Sequence, residues 1–178
     1  MPENNRIIKR ANLPGRSSAF LRSCVQATID EPERKLFHSR FGHLPPEEPI
    51  HVVTHYDRPD LASRPLCYLH FYDWQGCLLI GGVCVDQGLL RQMSRDERAV
   101  LRQAGGPYFW SLSAALEHFA GTTLAVFGYC GDPLSERITL SAGFCKTDCD
   151  HVLAWWSPRL PAAERPALLQ KVRELGPF

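Results

Sequence analysis

The chain has almost no excess of either charge sign: 20 Lys+Arg stand against 19 Asp+Glu in 178 residues, a formal net charge of +1. So even a balance gives no broad field to draw in a polyanion, and nucleic acid is not among the expected partners. Long hydrophobic runs are missing too. The longest, Cys77 to Ile80 and Gly121 to Tyr129, fall far short of the roughly 20 residues that span a bilayer, so no membrane association is expected. The first residues, with Asn4, Asn5, Arg6, Lys9 and Arg10, lack the apolar centre of a secretory signal, and a cytoplasmic location follows. The seven cysteines include no CxxC pair. Cys67, Cys77, Cys84 and Cys130 sit in apolar stretches, where a free thiol behaves as a small hydrophobe, so reduced, structural thiols are the expectation. Cys145-x3-Cys149-x-His151 suits no common zinc site, and no metal is expected.

What is present is enough for one core, because a chain of this length buries roughly two thirds of the surface its unfolded form exposes. Residues 1–16 have no apolar periodicity and read as a loose leader to a single domain over 17–178. Ser17 and Ser18 can cap a first helix, with Phe20, Leu21, Cys24, Val25 and Thr28 at helical spacing. A second helix spans Glu31 to Phe41, ended by Gly42 and the prolines Pro45, Pro46 and Pro49. Ile50 to His55 reads as a strand, Arg58 to Pro65 as a connection rich in turn residues. Leu66–Tyr72 and Cys77–Val85, separated by four residues containing Gly76, predict an antiparallel hairpin, its second strand covered on both faces.

Ser94 and Glu97 match a capping box that opens a helix to about Gln103. Gly105-Gly106 breaks the chain and Pro107 is suited to start the next helix, Tyr108 to Ala120. Thr122–Tyr129 predicts a second buried strand. Asp132-Pro133 opens a short helix closed by Gly143, Phe144–Lys146 and His151–Trp156 form a last hairpin, and Pro161–Leu175 holds one more helix. Tyr108, Phe109 and Trp110, like Trp155 and Trp156, present aromatics to two faces, one for the core and the other for a substrate pocket or a homodimer contact.

This succession of strand, glycine loop, helix, strand, Asp-initiated short helix, Gly-Phe and hairpin, over about Leu66 to Trp156, resembles the GNAT superfamily of acyl-CoA-dependent N-acetyltransferases. The resemblance implies an α+β fold with a mixed, mainly antiparallel sheet flanked by helices. It implies acetyl-CoA or another acyl-CoA as co-substrate, with a small-molecule or peptide amine as acceptor. Arg102-x-x-Gly105 or Gln103-x-x-Gly106 would then be the pyrophosphate loop, where glycine N–H groups at a helix start face an anion. Pantetheine would lie along Leu79–Val85, with Val83, Cys84 and Val85 against it and Gly81-Gly82 allowing close approach. Counting back from Gly143-Phe144 places Asp132, Ser135 and Thr139 at the family's three helix positions, so a threonine stands where the family often has a tyrosine acid.

Direct acyl transfer needs a deprotonated amine, a polarised thioester carbonyl and a proton for the departing thiolate. The N–H of Val83 or Cys84 is the candidate oxyanion donor. Candidate bases are His70, Asp73, Asp86 and His118, with Asp86 at a strand end and His70 on a face shared with Tyr68 and Tyr72. Ser135 or Tyr129 can protonate sulfur in place of the missing tyrosine. Glu47, Glu48, Asp57 and Asp60 make the 45–64 segment mildly acidic, which suits a cationic amine. The alternatives are a GNAT-like binding or regulatory module without catalysis, and an unrelated α+β protein.

Overall fold

In a computed structural model, residues 11–12, 18–47 and 49–178 are described. Of the expected leader, only Ala11–Asn12 (β1) falls within them, and Ser17 and Glu48 lie outside. Among the described residues a single sheet of eight strands has the order β1-β2-β3-β4-β5-β6-β8-β7. Its members are β1, β2 (Leu21–Gln26), β3 (Ile50–Arg58), β4 (Leu61–Trp74), β5 (Cys77–Val85), β6 (Ala125–Tyr129), β7 (Cys145–Lys146) and β8 (Val152–Trp156). Every neighbouring pair is antiparallel except β5 with β6. The α+β class and the mixed, mainly antiparallel sheet are therefore as expected.

Two expectations are corrected. Residues Leu21–Gln26 form β2, paired with β3 from Leu21 opposite Tyr56 to Gln26 opposite His51, rather than a helix begun at Ser17 or Ser18. Both faces of β2 are covered, Val25 on one side and Cys24 on the other, so its apolar residues carry no period of two. The stretch from Arg58 to Pro65 is not a connection either. β3 runs to Arg58 and β4 starts at Leu61, because the hairpin extends past the core and its outer residues face solvent.

The helices sort by face. α1 (Glu31–Phe41) lies across β4 and β5 on the side of Val53, Tyr68 and Cys84, where Phe37 is buried. Against the other face packs α4 (Gly106–Phe119), whose Leu112, Ala115 and Phe119 meet Val52, Leu69 and Phe71. Beside α4 stand α2 (Gln87–Gln92) and α3 (Arg95–Gln103). The capping box of α3 is present, and its Glu97 also accepts from Tyr56 Oη at 3.0 Å, which fastens α3 to β3. α5 (Pro133–Ser141) joins β6 to β7, and α6 (Arg165–Leu175) covers the β6–β8 end through Val172.

One buried polar chain sets where α4 begins. Ser23 Oγ bonds Thr54 Oγ1 at 2.7 Å, Thr54 Oγ1 bonds Ser111 Oγ at 2.6 Å, and Ser111 Oγ donates to the Pro107 carbonyl at 2.9 Å. Hydroxyls withdrawn from water must find their partners within the protein, so β2, β3 and the first turn of α4 are held in one register.

Candidate functional site

The parallel pairing of β5 with β6 stops at Ile80 opposite Gly128, yet β5 continues through Val85 with β4 as its partner on the other side. Beyond Ile80 the backbone of β5 therefore faces a gap rather than a strand. A bulge accompanies the divergence: His70 pairs with Gly82 and Phe71 with Ile80, leaving Gly81 as the extra residue. The gap opens into a cleft of about 390 Å³ bounded by Val83, Cys84, Val85, Gly105, Gly106 and Ser135. A second cavity of about 240 Å³ adjoins it, between Gly81-Gly82 and Gly128–Asp132. The two share Arg40, Val83, Tyr108 and Ser135.

At the far end stands the first turn of α4. Gly105 and Gly106 have φ of 90° and 87°, a region open to glycine and strained for other residues. A Cβ on Gly105 would fall 2.6 Å from the Phe109 ring, whereas one on Gly106 would meet nothing within 4 Å and project into open space. Opposite lies α5, capped by Asp132, whose Oδ1 accepts from the N–H groups of Leu134 (3.0 Å) and Ser135 (2.9 Å). Those donors, with the Ser135 hydrogen bonds foremost, hold the Asp132 carboxyl below the usual range. α5 then runs through Gly143 (φ 96°) into Phe144.

A diverging parallel strand pair, a double-glycine turn at a helix start across the gap, and an Asp-capped helix entering Gly-Phe now stand together. The chain resembles a divergent member of the GNAT superfamily.

No protein-family profile and no curated protein matches the chain. Among solved structures, the ribosomal-protein-S18-alanine N-acetyltransferase from Escherichia coli is 9% identical, with 79% of this chain and 97% of that chain covered at a TM-score of 0.46. KacTA in complex with DNA is 12% identical, over 71% of this chain and 76% of that chain, TM-score 0.39. AtaT complexed with acetyl-methionyl-tRNAfMet is 11% identical, over 69% and 75%, TM-score 0.36. The DNA and tRNA complexes overturn the expectation that nucleic acid is excluded as a partner. A net charge summed over a whole chain says nothing against a local surface that meets phosphates.

The residues singled out in the sequence part company here. Val83, Cys84, Val85, Gly105, Gly106 and Ser135 line the first cavity, and Asp132 lines the second. Gln103 borders an adjacent depression with Gly105 and Arg137. Arg102, the cation expected at the pyrophosphate loop, does not line the cleft; Arg40, from the last turn of α1, does.

The candidate bases Asp86 and His70 do not converge with Ser135. Asp86 caps α2, accepting from Leu89 N–H at 2.8 Å, and faces Arg64 at 3.8 Å. His70 is buried behind the β5 backbone among Phe37, Tyr68 and Tyr72. Burial first, then the nearby His51 and His43, pushes its pKa down to about 4, so it is neutral near pH 7, and among the described residues its Nδ1 has no hydrogen-bond partner. Two carboxylates of the acidic 45–64 segment are paired: Asp57 with Arg22 at 2.7 Å and Asp60 with Arg58 at 3.0 Å. A cationic acceptor finds no unpaired field in those two groups.

Tyr108 was not singled out for chemistry by the sequence. Thr139 is fully buried, and Tyr108 Oη lies 2.9 Å from its Oγ1. The phenol thus reaches this point from α4 rather than α5, a crossing that spacing along one helix cannot reveal. Burial raises the pKa of Tyr108, so the hydroxyl keeps its proton across the neutral range. Cys84 is likewise no thiolate, its pKa pushed up to about 12 by burial.

Proposed function

We propose that the chain transfers an acyl group, acetyl in the first instance, from CoA to a primary amine by direct attack. The observation that carries this reading is the unpaired edge of β5 beyond Ile80, which runs from the Gly81 bulge toward the Gly105-Gly106 turn. An extended amide-bearing arm can pair with such an edge as an added strand would, while an anion at its end meets N–H groups unobstructed by side chains. Pantetheine along β5 and a diphosphate at Gly105-Gly106 satisfy both.

In this arrangement the amine nitrogen bonds to the thioester carbonyl carbon and the C–S bond breaks. The oxygen that gains charge is met by the N–H of Val83 or Cys84. The leaving sulfur takes a proton from Tyr108 or Ser135, which border both cavities, and the proton lost by nitrogen passes to solvent. We place the activity in the cytoplasm, where the free cysteines stay reduced. Among the described residues no helix is long and apolar enough to cross a membrane.

Acetyl-CoA at a hundredfold excess over Kd should raise the melting temperature by about 5–10 °C, as expected for about 2.7 kcal/mol of linkage in a chain of this size. Gly106→Glu should abolish the shift, because its carboxylate projects into the cleft. Gly106→Ala, which shares the backbone strain without the charge, should retain most of it. No shift in the wild-type protein at millimolar acetyl-CoA overturns the reading. Tyr108→Phe should keep the shift while free-thiol release falls about a hundredfold in kcat. An unchanged kcat would remove the phenol from the mechanism.

A further inference from the structure

The second cavity holds one cation and one carboxylate that are not paired with each other. Arg40 and Asp132 both line it, and among the described residues the guanidinium has no salt bridge and no side-chain hydrogen bond; its electrostatic neighbours are Cys84 and Asp132. Asp132 spends Oδ1 on capping α5 and stays ionised. Phe41, Tyr108, Tyr129 and Phe178 supply aromatic rings to its walls, with the Ser135 hydroxyl among them. The volume, about 240 Å³, is below the range of drug-sized pockets and suits one small molecule.

We infer that the acceptor is a free amino acid with an apolar or aromatic side chain, its carboxylate taken by Arg40 and its amino group held on the Asp132 side. This rests on the acyl-transfer reading and adds the substrate class to it. A planar guanidinium matches a carboxylate with two parallel hydrogen bonds, which fixes orientation as well as position. With the carboxylate captured at Arg40, the amino group lies in the cavity that Asp132 and the Gly81-Gly82 edge both border, where the thioester carbonyl would reach it. There the nitrogen loses a proton, bonds to the acyl carbon and displaces the CoA thiolate, which is protonated to the thiol. An acceptor whose carboxyl is blocked, as in a peptide N-terminus or an aminoacyl ester, leaves Arg40 without a partner.

The test is free-thiol release from acetyl-CoA with L-phenylalanine, L-leucine and L-methionine, each beside its amide, in the wild-type protein, Arg40→Ala and Arg40→Lys. At least one free acid should have a KM ten or more times lower than its amide. Arg40→Ala should raise that KM at least tenfold while the KM of the amide stays within about threefold, and Arg40→Lys should recover part of the loss. Amides used as well as the acids, or an Arg40→Ala effect confined to acetyl-CoA, overturns the assignment while transfer itself persists. Thiol release with simple primary amines and with none of the three acids does the same. Failure of the underlying reading is a separate result: no melting shift with acetyl-CoA and no release with any amine, which overturns both.

Discussion

Lowering the pH from 6.5 to 4 should cost the fold about 5 kcal/mol, most of it through His51 and His70. Both histidines are buried under α1, at 1% and 3% exposure. Burial is the main cause that takes each pKa from 6.5 down to about 4, aided by Arg34 at His51 and by His51 and His43 at His70. A histidine depressed in the fold is neutral there while the unfolded chain already binds its proton, so between 6.5 and 4 the unfolded state holds more protons and stability falls with pH. Between those two pH values each shift of this size is worth about 2–3 kcal/mol. His55 does not offset the loss. Burial opposes its charge, but hydrogen bonds with Cys24 and Glu33 outweigh that and raise its pKa, so its contribution is complete below 6.5 and fades only as pH rises through the folded value. Urea denaturation at pH 7, 5.5 and 4 should show the drop, and His70→Asn should remove about half of the difference. An equal drop in the variant would place the acid sensitivity elsewhere.

Much of this site was legible along the chain because its parts are local. The Ser94–Glu97 box, Pro107 at the start of α4, Asp132 capping α5 and Gly143 closing it are each decided by a few neighbouring residues, and each stands where spacing put it. The β4–β5 hairpin was legible for the same reason, its turn narrowed to Gln75-Gly76. Failures came where a distant partner decides. Leu21–Gln26 has apolar residues at helical spacing by coincidence, since a strand covered on both faces imposes no period of its own. Arg102 looked right because it neighbours Gly105 in sequence, yet at the end of α3 its side chain lies outside the cleft wall. Arg40 enters through the packing of α1 on β4 and β5, and Tyr108 meets Thr139 across 31 residues. Neither approach leaves a mark in a linear pattern.

The same buried histidine ties the core to the cleft at Gly81. A Cβ there would lie 2.3 Å from His70 Nε2 and 2.5 Å from Tyr72 Cε2. Tyr72 is 39% exposed and can swing outward; His70 cannot, being enclosed by Phe37, Tyr68 and Tyr72 with ring centroids 5.7, 5.8 and 5.3 Å away. Gly81→Ala should therefore destabilise the protein by about 2–3 kcal/mol through overpacking, part of the strain being relieved by displacing the bulge toward the second cavity. Smaller space for the acceptor should raise its KM several-fold while acetyl-CoA, held mainly at Gly105-Gly106, is affected less. Removing the obstructing ring decides the matter. His70→Ala leaves a void, and in the Gly81→Ala/His70→Ala double variant the added methyl no longer clashes with that ring, so the two losses should fall short of additivity by at least about 1 kcal/mol. Strict additivity in urea denaturation at pH 7 would show that the glycine is required by the strand's own backbone and not by the ring behind it.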